Sequence, residues 1–396
     1  MREGKSGPTT DQMQFLAEAG AEGREAQEFA ETVANAEWSL RDFLALKSEE
    51  SVLILHDKST NPEMVAILEK AVENIGSARQ SLGLVKKAKG TKETKRREIQ
   101  RLLESHPVVI DISVDSHKAT EDIFDDIEDS GSRLLALYDL SPEAFRDNGA
   151  SSESLEDLEY RLNKMEAILS DAAGFRITSE YGTNLEVGLR PFKERRWAKD
   201  TGVIDQPGQW DNLPGGEIYT TPDERMVNGT LVLPALESTI ANEQGVDKFV
   251  RLEIKDGLIV SIQGGESADK LKKKLEKIAQ SDQAEGKNPQ NVYRIAEIGF
   301  GANSKARSTV ADPDQPYNAP GVSVVETEKR YGTMHLAFGD AEHGEEGVEG
   351  FETAGSHYDF VIPRNGLTVE SFRNNQDFAA KKNGRRIIAS NGWNFS

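Results

Sequence analysis

The sequence predicts an α/β fold in two unlike halves: an N-terminal α/β domain with a mostly parallel sheet, then a β-rich α+β domain. Three observations predict it. Short, apolar, β-branched runs alternate with amphipathic helical stretches up to about residue 175, the pattern of strand–helix–strand units. Beyond that point short, glycine-punctuated strands take over. Within them, Leu252–Ile262 carries Asp256-Gly257 at its centre, a hairpin signal that marks antiparallel pairing. The boundaries read 1–35 for an acidic N-terminal arm, 36–175 for the α/β domain and 176–396 for the β-rich domain.

Taken in order, Thr9 to about Asn35 is acidic and alanine-rich, and Gly20 and Gly23 are expected to break any long helix there. Glu50–His56 is a buried-strand run. Asn61-Pro62 starts a helix with Met64, Leu68 and Ala71 on one face. A polar, lysine-rich segment, Lys86–Arg97, leads into a second helix ending near Leu103. Val108–Ser113 and Arg133–Leu140 give two more strands, and Ser154–Ala172 a long helix with Leu155, Leu158, Leu162, Met165 and Leu169 in step. Phe175–Thr178 and Thr183–Leu189 open the strand-rich half, and one helix, Ala268–Ala279, is inserted into it. Its lysines (Lys270, Lys272, Lys273, Lys274 and Lys277) read as a solvated face.

Composition narrows the chemistry. The 396 residues carry 48 Lys+Arg against 68 Asp+Glu, a net charge of −20. Such a surface repels phosphate backbones and anionic membranes, so neither nucleic acid nor a membrane is expected as a partner. The chain has no cysteine, which excludes disulfides, thiolate metal sites and cysteine nucleophiles; any metal must rest on His, Asp and Glu. No apolar run approaches the ~18 residues of a membrane span, and Met1–Gly20 lacks the apolar core of a signal peptide. A soluble, cytoplasmic protein is the expectation. No glycine-rich phosphate loop follows any of the N-terminal strands, so nucleotide binding has no support.

Three of the six histidines, His335, His343 and His357, fall in one glycine-rich, acidic stretch. Asp359 follows His357 by two residues, and on a strand that spacing puts imidazole and carboxylate on the same face. Two isolated carboxylates join them. Glu217 stands between the double glycine of Asn212-Leu-Pro-Gly-Gly and an apolar strand, and Glu297 sits inside Ile295-Ala-Glu-Ile-Gly-Phe-Gly301. A buried carboxylate needs a cation or strong donors. Two glutamates, two histidines and one aspartate supply five N/O ligands, a set suited to divalent ions.

The order Asn212-Leu-Pro-Gly-Gly-Glu217, Asn228-Gly-Thr230, Ala296-Glu297-Ile-Gly, Gly332-Thr-Met-His335-Leu-Ala-Phe-Gly339, His357-Tyr-Asp359 resembles the thermophilic-type metal aminopeptidases, the aminopeptidase T and S group. Tyr181-Gly-Thr-Asn-Leu185 resembles the strand that opens their metal domain. The resemblance spans about residues 50–395. It implies a dinuclear site with metal ligands Glu217, Glu297, His335, His357 and Asp359, two divalent ions (Zn, Co or Mn), a peptide substrate and a homodimer. In that reading the protein is a metalloaminopeptidase, and Glu217 and Glu297 are catalytic as ligands or general base to a metal-bound water. One departure stands out: Glu342 occupies the position of a family tyrosine, seven residues after the first metal histidine, with His343 beside it and Tyr331 and Tyr358 elsewhere.

The same superfamily resembles the iron-dependent dioxygenases that open the ring of 2,5-dihydroxypyridine. There His335, His357 and Asp359 would form a two-His-one-carboxylate triad on a single Fe(II). A metal-binding homologue without peptidase activity is the third reading. Elsewhere, Arg195, Arg196 and Lys199 read as an exposed linker. His56, His106 and His117 read as structural, while Trp197, Trp210 and Trp393 could pack or line a pocket.

Overall fold

The computed structural model describes residues 10–84, 101–114, 127, 130–138, 140–233, 249–308, 322–343, 347–350, 353–362, 364, 366–389 and 392–395. Lys86–Arg97 and His117 lie outside these residues. The N-terminal half contains α1 (Thr10–Asp42), β1 (Ser51–Asp57), α2 (Pro62–Ile75), β2 (Ala78–Leu84), β3 (Val108–Asp111), β4 (Arg133–Ala136) and α3 (Leu155–Leu169). The strand-rich half begins with β5 (Gly174–Thr178), β6 (Asn184–Gly188), β7 (Ala198–Asp200), β8 (Trp210–Asn212), β9 (Glu217–Thr220), β10 (Val227–Leu233), β11 (Val250–Lys255) and β12 (Leu258–Gln263). It continues with α4 (Glu266–Ala284), β13 (Ile295–Gly301), α5 (Val324–Lys329), β14 (Met334–Gly339), β15 (His357–Ile362), β16 (Thr368–Phe372), α6 (Asn375–Ala380), β17 (Arg385–Ala389) and β18 (Gly392–Trp393).

Three sheets result, and the mixed α/β class expected from the sequence is what the chain adopts. The first is wholly parallel, in the order β2-β1-β3-β4-β8. The second has eight strands, β12-β11-β10-β6-β5-β16-β17-β18, and the third has five, β15-β14-β13-β9-β7; both are antiparallel. The hairpin at Asp256-Gly257 forms as expected, with both residues at positive φ (49° and 73°) and β11 paired to β12. The side chain of Asn61 caps α2 by accepting from the Glu63 N–H, and Gly76, at φ 91°, ends that helix.

One expectation fails locally. Gly20 and Gly23 do not break the arm: α1 is a single 33-residue helix. Its second half is anchored by Val33, Ala36 and Leu40 against α2 and the parallel sheet, and tertiary burial outweighs the ~1 kcal/mol cost of a helical glycine. Farther along, Trp210–Asn212 join the parallel sheet beside β4. The chain, which has already given β7 to the five-stranded sheet, leaves the parallel sheet at Asn212 and re-enters the five-stranded one at Glu217.

The two antiparallel sheets clamp the main core. In β9, β13, β14 and β15 the even-numbered residues Ile218, Ile298, Phe300, Met334, Leu336, Phe338, Tyr358, Phe360 and Ile362 all belong to it. They meet Phe175, Ile177, Leu185 and Val187 of the eight-stranded sheet. Strand period two then forces the odd-numbered residues onto the opposite face. Helix α3 links this core to the other one: Leu158, Leu162, Met165 and Leu169 pack into it, while Leu155 packs with the cluster under the parallel sheet. Among the described residues no helix is long and apolar enough to cross a membrane.

Candidate metal centre

The face left over by that core is where the chemistry collects. Glu217 on β9, Glu297 on β13, His335 on β14, and His357 and Asp359 on β15 all project from the odd-numbered face of the five-stranded sheet. The ladder fixes their rows: Gly301 lies opposite Glu217, Gly299 opposite His335, and Ala337 opposite both Glu297 and Asp359. All five residues named from the sequence are brought together. Two local features make room for them. At Gly216, φ is 127°, a value that favours glycine; it lets the double-glycine turn deliver Glu217 at the first position of β9. A Cβ on Gly299 would stand 2.2 Å from the His335 ring, so only glycine there allows the imidazole to lie across β13.

Glu297 is the hub. The Nε2–H of His335 donates to its Oε1 at 2.7 Å. On the other side, Nδ1 of His343 and Nε2 of His357 stand 3.4 and 3.6 Å from its Oε2. Oδ1 of Asp359 lies 3.5 Å from the same His357 nitrogen. These last three separations are long for hydrogen bonds. Two ligands each about 2.1 Å from one ion are roughly 3.0–3.5 Å apart, so the spacing suits a shared cation. The His357 ring is set for it: its Nδ1–H donates to the Asp340 carbonyl at 2.8 Å, which leaves Nε2 toward the carboxylates, as in metal-bound imidazoles. His335 Nδ1 is buried with no hydrogen-bond partner. Donor atoms of Glu297, His343 and His357 lie within 4.8 Å of one another, and so do those of Glu217, Glu297 and His335 and those of Glu328, His335 and Asp359. The residues present fit a divalent metal.

Charge is concentrated here. Burial raises the Glu297 carboxyl, but the His335 hydrogen bond and the neighbouring imidazoles carry it below its ordinary value. Burial opposes charge on His335, yet Glu217 and Glu297 push its pKa up to about 10. Against the same burial, Asp359 carries His357 well above its ordinary value, and His357 in turn holds Asp359 low. Burial pushes Glu217 up and lifts Glu328 to about 8. The centre is closed at one end, where His335 is 1% exposed, and open at the other, where the His357 side chain is 32% exposed.

Several residues of the centre were not picked out as site residues from sequence. In the sequence His343 stands out only as one histidine of its stretch and as the neighbour of Glu342; it packs edge-on against His357, with ring centroids 5.6 Å apart, and its Nε2 is 3.0 Å from Thr221 Oγ1. Burial lowers its pKa. The signal was present in the clustering of three histidines. Asp200, Glu328 and Lys329 gave no signal, because a lone acid on an edge strand and a Glu-Lys pair in a helix are commonplace. Glu342, in the place of the tyrosine, is exposed. Of the basic knot, Arg195 is not linker: its side chain is 4% exposed and pairs with Glu224 at 2.9 Å. His106 is structural as expected, its Nδ1 donating to the Leu102 carbonyl.

A family model described as 2,5-dihydroxypyridine 5,6-dioxygenase, NicX, matches residues 41–370. The chain belongs to this dioxygenase family. It is 28% identical over 210 residues, 53% of its length, to a 2,5-dihydroxypyridine 5,6-dioxygenase of Pseudomonas putida. That alignment covers 54% of the relative, so the chain spans about half the length of the protein it matches. A solved structure of a 2,5-dihydroxypyridine dioxygenase from Pseudomonas putida KT2440 superposes with a TM-score of 0.64 at 20% identity, covering 92% of this chain and 97% of that one. Wild-type AmpT from Thermus thermophilus superposes at 0.60 with 15% identity, covering 92% and 99%. Both likenesses show the fold.

The family match overturns the aminopeptidase reading. The matching family is that of the dioxygenase, not of the peptidases that the order of glutamates, histidines and aspartate resembles. At 15% identity, the AmpT likeness carries the fold and no activity. Hydrolase, peptidase and protease are therefore withdrawn as descriptions of this chain. What stands is membership of an enzyme family and a centre fitted for metal.

Proposed function

We propose that the protein is a non-haem Fe(II) dioxygenase that opens the ring of a dihydroxylated N-heteroaromatic compound, 2,5-dihydroxypyridine being the first to test. The observation that carries the reading is the Glu297–His343–His357 group inside a dioxygenase-family chain: two imidazoles and one carboxylate on one ion leave positions open for a second reactant. Asp359, beside His357, is the further carboxylate within reach. This choice of ligands differs from the triad expected on sequence in placing His343 at the ion and His335 behind it.

Bound there, Fe(II) supplies redox chemistry that no side chain of this cysteine-free chain offers. The protein's own groups do the rest. His335 holds Glu297 in one orientation through the 2.7 Å hydrogen bond, and the Asp340 carbonyl fixes the His357 tautomer. Substrate enters at the open His357–Asp359 end, where a carboxylate kept ionised by His357 can accept a hydrogen bond from a ring hydroxyl and orient it. The closed end, at His335, keeps water away from the reacting centre. The test is anaerobic loading with Fe²⁺ followed by oxygen uptake with 2,5-dihydroxypyridine. Stoichiometric oxygen consumption with loss of the ring's ultraviolet absorbance is expected; no uptake with any dihydroxypyridine by fully loaded protein refutes the reading.

A further inference from the structure

Behind the centre lies a second cluster that the ring-opening reading leaves without a task. Lys329, the last residue of α5, is 1% exposed. Its Nζ stands 2.5 Å from Glu217 Oε1, 3.0 Å from Asp200 Oδ2 and 3.2 Å from Glu328 Oε1. An ammonium has three N–H donors and no acceptor; here three buried carboxylates surround it. Asp200 and Glu217 are ladder partners on β7 and β9, so the sheet delivers two of the three acceptors from one row, and the helix supplies both Lys329 and Glu328. Left without a cation, three carboxylates at this depth would each lose several kcal/mol of solvation.

We infer that Lys329 is a built-in cation standing where a second metal ion would otherwise sit, so that the centre takes one divalent ion and Glu217 serves the ammonium rather than the metal. The inference rests on the metal centre proposed above, though not on which ring is opened. Glu217 has two oxygens, and Lys329 holds Oε1; Oε2 is 3.3 Å from His335 Nε2, the same nitrogen that donates to Glu297. Oε2 itself accepts no hydrogen bond, because the N–H of that nitrogen is given to Glu297, so among the described residues the one donor that holds Glu217 is the ammonium. A lysine in this position also sets the charge of the pocket: it offsets one carboxylate without demanding the open coordination sites that an ion brings. Glu217 and Lys329 then balance each other's charge behind the centre, and the ion is held by other residues.

Counting bound metal tests this without reading turnover. Protein stripped with a chelator is titrated anaerobically with Fe²⁺, and separately with Co²⁺, and metal per chain is read by plasma emission after dialysis. Wild type is expected to hold one ion and K329M two, the second filling the site the ammonium vacates. E217Q is expected to keep its single ion with affinity changed by less than about threefold, against the 10–100-fold cost of losing a group that orients a metal ligand. Two ions or none in wild type overturns the inference, as does a folded K329M that still holds one. Should K329M fail to fold, E217Q decides: loss of its ion overturns the inference and retention supports it. A wild type that binds one ion yet opens no ring refutes the proposed function and leaves this inference standing.

Discussion

His343 and Glu342 are neighbours in sequence with opposite fates. His343 turns inward to within 3.4 Å of Glu297, while Glu342 faces solvent. A position-by-position comparison puts Glu342 where a tyrosine is expected, yet the side chain that reaches the cluster is one residue on. His343→Ala is therefore expected to weaken Fe²⁺ binding by at least about tenfold, the scale for losing a group that holds a metal. Glu342→Ala should leave binding unchanged. Parallel titrations followed by dialysis check both, and equal effects from the two variants would put His343 outside the centre. The other single-residue determinant is Gly299: an absent Cβ is a structural requirement that only the packing of His335 against β13 reveals.

At the scale of elements, the joint between α3 and the segment after β13 is an ionic lock. Glu153, just before α3, accepts from the Ser304 N–H at 2.7 Å and its hydroxyl at 2.5 Å, and it pairs with Arg161 Nη2 at 2.9 Å. Burial raises its carboxyl, but the Ser304 and Arg161 interactions prevail and hold it below the ordinary value of 4.5. A lowered folded-state pKa means that its stabilising contribution is present above that value and lost as pH falls through the folded one. Glu153→Gln should cost about 1.5–3 kcal/mol near neutral pH, the range for hydrogen bonds to a charged group. Below the folded pKa, wild type and variant should converge. Urea unfolding across an acid-to-neutral series checks this; a difference that stays constant with pH would assign the loss to packing instead.

At the scale of the whole molecule, metal uptake is expected to compete with protons and to add to the stability of the fold. His357, raised well above its ordinary value by Asp359 against the opposing burial, must give up a proton to coordinate, so uptake releases protons and strengthens as pH rises. Fe²⁺ or Co²⁺ affinity is expected to be weaker at about pH 6 than at about pH 8. At a hundredfold excess over Kd, one bound ion should stabilise the fold by about 2.7 kcal/mol, read as a Tm that climbs with the logarithm of metal concentration. A Tm indifferent to metal and chelator would mean that these carboxylates and imidazoles are structural.

How much of this was legible in the sequence follows from what each signal depends on. Strand alternation, helix caps and the Asp-Gly turn are local, and β1, α2, α3 and the β11–β12 hairpin could be read for that reason. Glu217 and Glu297 were legible because a lone carboxylate in an apolar strand needs an explanation wherever it occurs, and His357 and Asp359 because their spacing puts them on one face; His335 came only from the family resemblance. The continuity of α1 through two glycines and the insertion of β8 into the parallel sheet were not, because each is decided by contacts between residues far apart in the chain. The same holds for the cation behind the centre. Sequence by itself determined which residue types would be buried, and on which face of each strand. Only the tertiary structure decided that His343 joins them, that Lys329 occupies the carboxylates behind them, and that His335 lies over a glycine, since those depend on which strands become neighbours.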